Sequence, residues 1–173
     1  MTEEQLSPEE RRMGFREAAR LRRTLNVWTD GACFPNPGRG GWAWVTHGHS
    51  GSGTEPSTTN QRMELTAIIR AIEAQALNAD ALQIYTDSRY CVGGAMFWLK
   101  NWKKNGWKTR SGESVKNQDL WGALSLLLDE IECSFRWVRG HSGNEMNEKA
   151  DHLAALATGL DSNFIRKCQR RYA

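Results

Sequence analysis

Apolar residues recur along this chain at two different spacings, and the switches between them lay out its elements. Leu25, Val27 and Thr29 alternate with Asn26, Trp28 and Asp30, the period of two expected of a strand, and the turn-forming cluster Phe34–Gly41 follows. Asp30 is therefore predicted near a strand end. Trp42–Thr46 reads as a second strand, a glycine- and serine-rich turn comes next, and a short third strand is expected just before Thr58. This opening is expected to be antiparallel. Thr59 or Asn60 can then cap a helix whose apolar positions Met63, Ala67, Ile68, Ala71, Ile72 and Leu77 recur at helical spacing, with Glu64 on its first turn. Leu82–Thr86 is a short buried strand, and Asp87 and Ser88 end it and start a helix through Trp98. Leu120, Ala123, Leu124, Leu127, Leu128 and Ile131 give a further amphipathic helix, Ser134–Arg139 a strand, and Asn147–Leu160 the last helix. The predicted order is βββαβα, a basic helical insert, then αβα.

A chain of 173 residues accommodates one domain with a substantial core. The pattern divides it into a charged extension (1–24), one domain (25–160) and a basic tail (161–173). In the extension, Ser7, Pro8 and Glu10 match the first positions of a helix over Pro8–Arg23. Arg11, Arg12, Arg16, Arg20, Arg22 and Arg23 stand there against Glu17, so nucleic-acid contact is an alternative to a solvated appendage. Hydrophobic content of 39% and charged content of 25% are those of a globular protein, and no apolar run approaches a membrane span. No signal-peptide core is present, and Glu3, Glu4, Glu9 and Glu10 oppose a transit peptide, so a cytoplasmic location is expected. Cys33, Cys91, Cys133 and Cys168 are too scattered for a zinc site or a disulfide framework and are read as free thiols.

Four acids change this bland picture. Asp30, Glu64, Asp87 and Asp151 lie in TDGACFPNPGRGGW, TTNQRMEL, YTDSRY and VRGHSGNEMNEKAD. Phosphodiester hydrolysis needs an activated water and neutralisation of charge on the attacked phosphate and the leaving oxygen, which two divalent cations about 4 Å apart can supply. Magnesium favours carboxylate oxygens over a His/Cys cage. Asp30 and Asp87 at strand ends, with Glu64 and Asp151 on facing helices, would suit it. Each acid also has an ordinary reading: Asp87 a cap, Glu64 a helix-dipole partner, Asp151 part of a solvated face, Asp30 a turn former. Asp151 follows Asn147 by one helical turn, which puts both on one face.

These motifs, with WLKNWKKNGWKT and VKNQDLW between them, resemble type 1 ribonuclease H from about Val27 to about Ala157. The resemblance implies an α/β fold with a mixed five-stranded sheet, its first three strands antiparallel, helices on both faces and a basic protrusion. It implies a metal-dependent endonuclease that hydrolyses the RNA strand of RNA/DNA hybrids by a two-metal-ion mechanism, leaving 5'-phosphate and 3'-hydroxyl ends. Asp30, Glu64, Asp87 and Asp151 match the family's ligands for two Mg²⁺ ions, with Mn²⁺ as the alternative, and His141 of the GHSGN loop matches its auxiliary proton carrier. An exposed histidine on a glycine-flanked loop suits that task. His47, His49 and His152 receive no role.

From Trp98 to Lys116 there are six basic residues and one acid, so this segment outweighs the whole chain's net charge of +3. Trp98, Trp102 and Trp107 interleave with cations such as Lys103 and Lys104, a pattern suited to sugar and base faces beside phosphates, although core packing is the plain alternative for the tryptophans. By resemblance this is the segment that grips the DNA strand. Asn36, Asn60, Gln61 and the backbone near Cys33 match RNA-strand contacts, where the 2'-hydroxyl distinguishes RNA. Thr59 and Asn117, with Trp102 beside them, match a DNA-phosphate pocket. Two positions depart from the family pattern: Ser57 stands where some members have arginine, and Arg89 where glutamine or methionine is expected. Arg89 is counted with the substrate contacts.

A monomer that binds hybrid and no membrane is the resulting expectation. Junction resolvases and integrase cores also use acidic metal sites, but the tryptophan-rich insert and TTNQRMEL disfavour them. A non-catalytic hybrid-binding module would usually lack an acid. A nucleotide-binding domain is disfavoured because GRGG opens no helix.

Overall fold

A computed structural model of the chain describes residues 23–160. The expected N-terminal helix, all the arginines of its cluster except Arg23, and the tail from 161 with Cys168 lie outside the described residues. Strands β1 (Thr24–Cys33), β2 (Gly38–Val45), β3 (Ser50–Thr58), β4 (Ala81–Thr86) and β5 (Glu132–Trp137) form one sheet in the order β3-β2-β1-β4-β5. The first three pair antiparallel, while β4 runs parallel to β1 and β5 parallel to β4. The helices are α1 (Asn60–Gln75), α2 (Arg89–Gly93), a π turn (Gly94–Trp98), α3 (Leu99–Lys104), α4 (Gln118–Glu130) and α5 (Glu145–Ala157). The mixed sheet covered on both faces agrees with the expected fold.

Alternation along β1 divides the core between those faces. Val27 joins Leu82, Ile84 and Phe135 beneath Leu65, Ile68 and Ile72 of α1 and Trp121 and Leu124 of α4. On the opposite face, Trp28 and Val45 meet Ala150 of α5, and Ala32 and Ala43 meet Ala154. Small residues there let α5 lie close to the sheet.

Several element limits differ from the sequence reading. Asp30 is not at a strand end: β1 continues to Cys33, and Asp30 pairs with Ala43. The glycines at 38, 40 and 41 belong to β2 rather than to the turn. The Gly/Ser stretch is not a turn but supplies the first four residues of β3, where the indoles of Trp44 and Trp42 occupy the space in which side chains of Gly51 and Gly53 would stand. Glu64 is the fifth residue of α1, past its first turn, and Leu77 lies beyond the helix and is 99% exposed. The helix after Asp87 continues beyond Trp98 to Lys104, widened at the weakly helical Gly93–Gly94 pair into the π turn. The last strand ends at Trp137 rather than Arg139, and the last helix runs Glu145–Ala157 with Asn144 as its cap. The helices bearing Glu64 and Asp151 do not face each other but lie on opposite faces of the sheet.

One contact sets the distance between β1 and α1. A Cβ on Gly31 would lie 2.2 Å from the backbone nitrogen of Glu64, so the helix passes where a side chain would be. Gly31→Ala should destabilise the protein by about 2–3 kcal/mol, as overpacking against rigid backbone does. Urea denaturation checks this, and an unchanged midpoint would show that α1 is free to retreat.

Candidate active site

Asp30 alternates with Trp28 and Ala32, so its side chain belongs to the α5 face of the sheet. It is 8% exposed, and its Oδ1 accepts a hydrogen bond of 2.7 Å from the Gly31 amide. Burial pushes its pKa well above the usual carboxylate range, and the charges of Asp87, Asp151 and Glu64 add to the rise. Asp87 follows β4, which runs parallel to β1 with Tyr85 opposite Trp28, so Asp87 lies level with Asp30 where β4 ends. Its pKa is also raised, by burial and then by Asp151, against the opposing effects of His141 and a hydrogen bond from the Asn147 side chain. Asn147 is buried one turn before Asp151 on α5, and its Oδ1 has no hydrogen-bond partner.

Glu64 completes the group from α1. Its Oε1 accepts from Asn60 Nδ2 at 2.9 Å and its Oε2 from the Ser88 hydroxyl. Burial pushes its pKa up to about 7, with Asp87 contributing, while these two hydrogen bonds oppose the rise. His141 Nδ1 lies 3.8 Å from Asp151 Oδ2, on a side chain that is 52% exposed. Among the described residues, no three His, Cys, Asp or Glu side chains converge closely enough as they stand to hold a single ion. The four acids nonetheless share one electrostatic field. They offer hard oxygen donors whose repulsion a hard cation would relieve, and Asn147 Oδ1 is a further buried oxygen without a positive partner. The residues therefore fit Mg²⁺ or Mn²⁺ in chemistry.

The spacing of the sequence did not foresee how the His141 loop is fastened to Asp87. Trp137 Nε1 donates to the Asp87 carbonyl at 2.9 Å, and the Val138 amide donates to Thr86 at 3.0 Å. A Cβ on Gly140 would lie 2.4 Å from Asp87 Oδ2, so the loop backbone runs directly over the carboxylate. His141 has a φ of +51°, in the left-handed region.

The expected substrate contacts fall into two assembled groups and a scattered remainder. Cys33 is buried, and the carbonyls of Pro35, Gly38 and Thr58 all lie within reach of its single S–H donor. Asn36 Oδ1 accepts from the Asn60 amide at 3.2 Å, and Asn60 in turn holds Glu64, so this edge leads directly into the acids. Gln61 is exposed beside them. In the second group, Thr59 caps α1 by accepting from the Arg62 amide, and Arg62 reaches Asn117 Oδ1 at 3.5 Å and grips Asp119 with both its terminal nitrogens. Tyr90, not anticipated, receives hydrogen bonds from Asn117 Nδ2 (3.2 Å) and Trp121 Nε1 (2.8 Å). Ser57 lines a neighbouring cleft of about 360 Å³ together with Arg62 and Arg70. In the basic insert, Trp98 is 43% exposed, whereas Trp102 and Trp107 are half-buried against the core. Lys103 is paired with Asp129 at 3.1 Å, and Lys104 is exposed.

The family model for RNase H matches residues 22–158. A ribonuclease H of Francisella philomiragia is 49% identical over 136 residues, covering 76% of this chain and 88% of that protein. LC9-RNase H1, a type 1 RNase H with the type 2 active-site motif, superposes with a TM-score of 0.70 at 32% identity, over 80% of this chain and 73% of its own. LC11-RNase H1 in complex with an RNA/DNA hybrid shares the fold at a TM-score of 0.60 and 21% identity, over 78% of this chain and 96% of its own.

The raised carboxyl groups carry a pH dependence of known sign. Asp30 holds its proton more tightly folded than unfolded, so stability falls as pH rises from its ordinary value of 3.8 through the raised native value. With chelator present, Asp30→Asn should therefore be more stable than the parent at pH 8, and the difference should vanish toward pH 4. Thermal melting across pH checks this, and a parent protein more stable than the variant at pH 8 would contradict it.

Proposed function

The chain belongs to the ribonuclease H family, and from that premise we propose that it hydrolyses the RNA strand of RNA/DNA hybrids, leaving 5'-phosphate and 3'-hydroxyl ends. The observation that supports the reading is the assembly of Asp30, Glu64, Asp87 and Asp151 in one field of mutual repulsion where β4 ends beside β1. Bound there by these four acids, two Mg²⁺ or Mn²⁺ ions would activate water and neutralise charge on the attacked phosphate and the leaving oxygen.

The chain's own residues prepare that chemistry. Ser88 and Asn60 hold both oxygens of Glu64 in place, and Glu64 can release either one to a cation. Asn147 keeps the Asp87 carboxylate oriented. His141, exposed and within 3.8 Å of Asp151, accepts or delivers a proton at Nδ1 from the solvent side as product departs. Asn36, Asn60 and Gln61 lie on the approach to Glu64, where amide donors and acceptors can read a 2'-hydroxyl. Thr59, Asn117 and Arg62 offer hydroxyl, amide and guanidinium donors to a phosphate of the DNA strand, and Arg62 supplies a cation near the position that Ser57 leaves neutral.

Incubation with hybrid, duplex DNA and duplex RNA side by side tests the assignment. Mg²⁺ or Mn²⁺ should support cleavage of RNA in the hybrid alone. Asp30→Asn should lower the rate by about a thousandfold or more, equivalent to several kcal/mol of transition-state stabilisation, and His141→Ala by about a hundredfold. Equal cleavage of duplex DNA, or activity that survives chelator, would sink the assignment.

A further inference from the structure

Three consecutive residues at the start of α2 point to three different places. Ser88 donates to Glu64 in the acidic site, and Tyr90 accepts from Asn117 and Trp121 on the α4 side. Between them Arg89 turns toward β5, its guanidinium carbon 4.5 Å from the centre of the Trp137 ring. That indole is itself fixed, since its Nε1 donates to the Asp87 carbonyl. Arg89 is exposed and makes no ion pair among the described residues, although Asp87 stands two positions away.

A guanidinium stacked on an aromatic face keeps its edge donors free in the ring plane. Here the aromatic support is fastened to the backbone of a site acid, so the donors are held at a fixed offset from that acid. We infer that Arg89 is a substrate-positioning residue that takes a phosphate of the RNA strand flanking the one presented to Asp87. The strand follows from direction. Arg89 stands over Trp137, the last residue of β5 and four positions before His141, whereas its neighbour Tyr90 is bonded to Asn117 of the group offered to the DNA phosphate. The contact also answers an electrostatic difficulty: four acids repel the backbone that must approach them, and a pre-oriented cation at the rim, with no ion pair among the described residues, counters that repulsion. This inference rests on the proposed hydrolysis of hybrid RNA.

The test is equilibrium binding of a short RNA/DNA hybrid, in chelator so that nothing is cleaved, across a range of salt concentrations. Arg89→Gln should weaken binding about five- to tenfold and lower the slope of log affinity against log salt by about one. Arg89→Lys, which keeps the charge, should retain the parent slope. Hybrids carrying one neutral methylphosphonate at successive RNA positions should then include one linkage that weakens the parent but has no further effect on Arg89→Gln. An unchanged slope in Arg89→Gln, or a non-additive linkage found on the DNA strand instead, would overturn the inference. Because Arg89→Gln retains all four acids, these binding results are separate from the cleavage assay. A parent that cuts hybrid while Arg89→Gln binds with the parent slope refutes the role of Arg89 alone, whereas a parent that cuts no hybrid refutes the functional reading.

Discussion

Repulsion among four carboxyl groups is the constraint around which this structure is arranged. Burial alone disfavours the charge on Asp30, and Asp87, Asp151 and Glu64 each add to that penalty. Left to itself such a cluster would separate. It does not, because each acid is carried by a different rigid element: Asp30 within β1, Asp87 at the end of β4, Glu64 on α1 and Asp151 on α5. The hydrophobic contacts on both faces of the sheet fix those elements before the acids have any say. The site is thus an electrostatic arrangement held by an apolar scaffold, and a divalent cation is the counterweight we propose for it.

The details around the acids extend the same logic. At Gly31 the missing side chain lets α1 approach until Glu64 shares the field of acids on the opposite face of the sheet. At Gly140 the same economy of atoms lets the histidine loop cross Asp87 Oδ2. Ser88, Asn60 and Asn147 supply hydrogen bonds to carboxylates, each lowering a pKa that burial has raised. Local hydrogen bonding thereby keeps the acids closer to ionisation than burial alone would allow.

Much of this was legible in the sequence, and what was not has identifiable causes. The alternation through Val27 and Trp28 marked β1, and the spacing from Met63 to Ile72 marked α1, because each has one face in the core. The first part of β3 was hidden because its stabilising side chains belong to its neighbour: Trp42 and Trp44 cover glycines that on their own read as a turn. Leu77 fitted the helical pattern but falls past the cap, where nothing buries it. The four acids were visible as motif members, whereas their individual spacings were equally compatible with caps and solvated positions. Tyr90 holding Asn117, Trp137 holding Asp87 and Lys103 turning to Asp129 are contacts between residues distant in sequence, which no local pattern encodes.

The central claim, that these acids form one cation-demanding cluster, is tested most directly by the thermal midpoint of the hybrid-free protein at pH 8, measured as Mg²⁺ or Mn²⁺ is added. A ligand bound only by the folded state stabilises it in proportion to the logarithm of its concentration. The parent midpoint should rise by several degrees as the ion exceeds its dissociation constant, at about 2–4 °C per kcal/mol for a chain of this size, and the rise should be largely lost in Asp87→Asn. A midpoint indifferent to the ion, or an equal rise in parent and variant, would contradict the account.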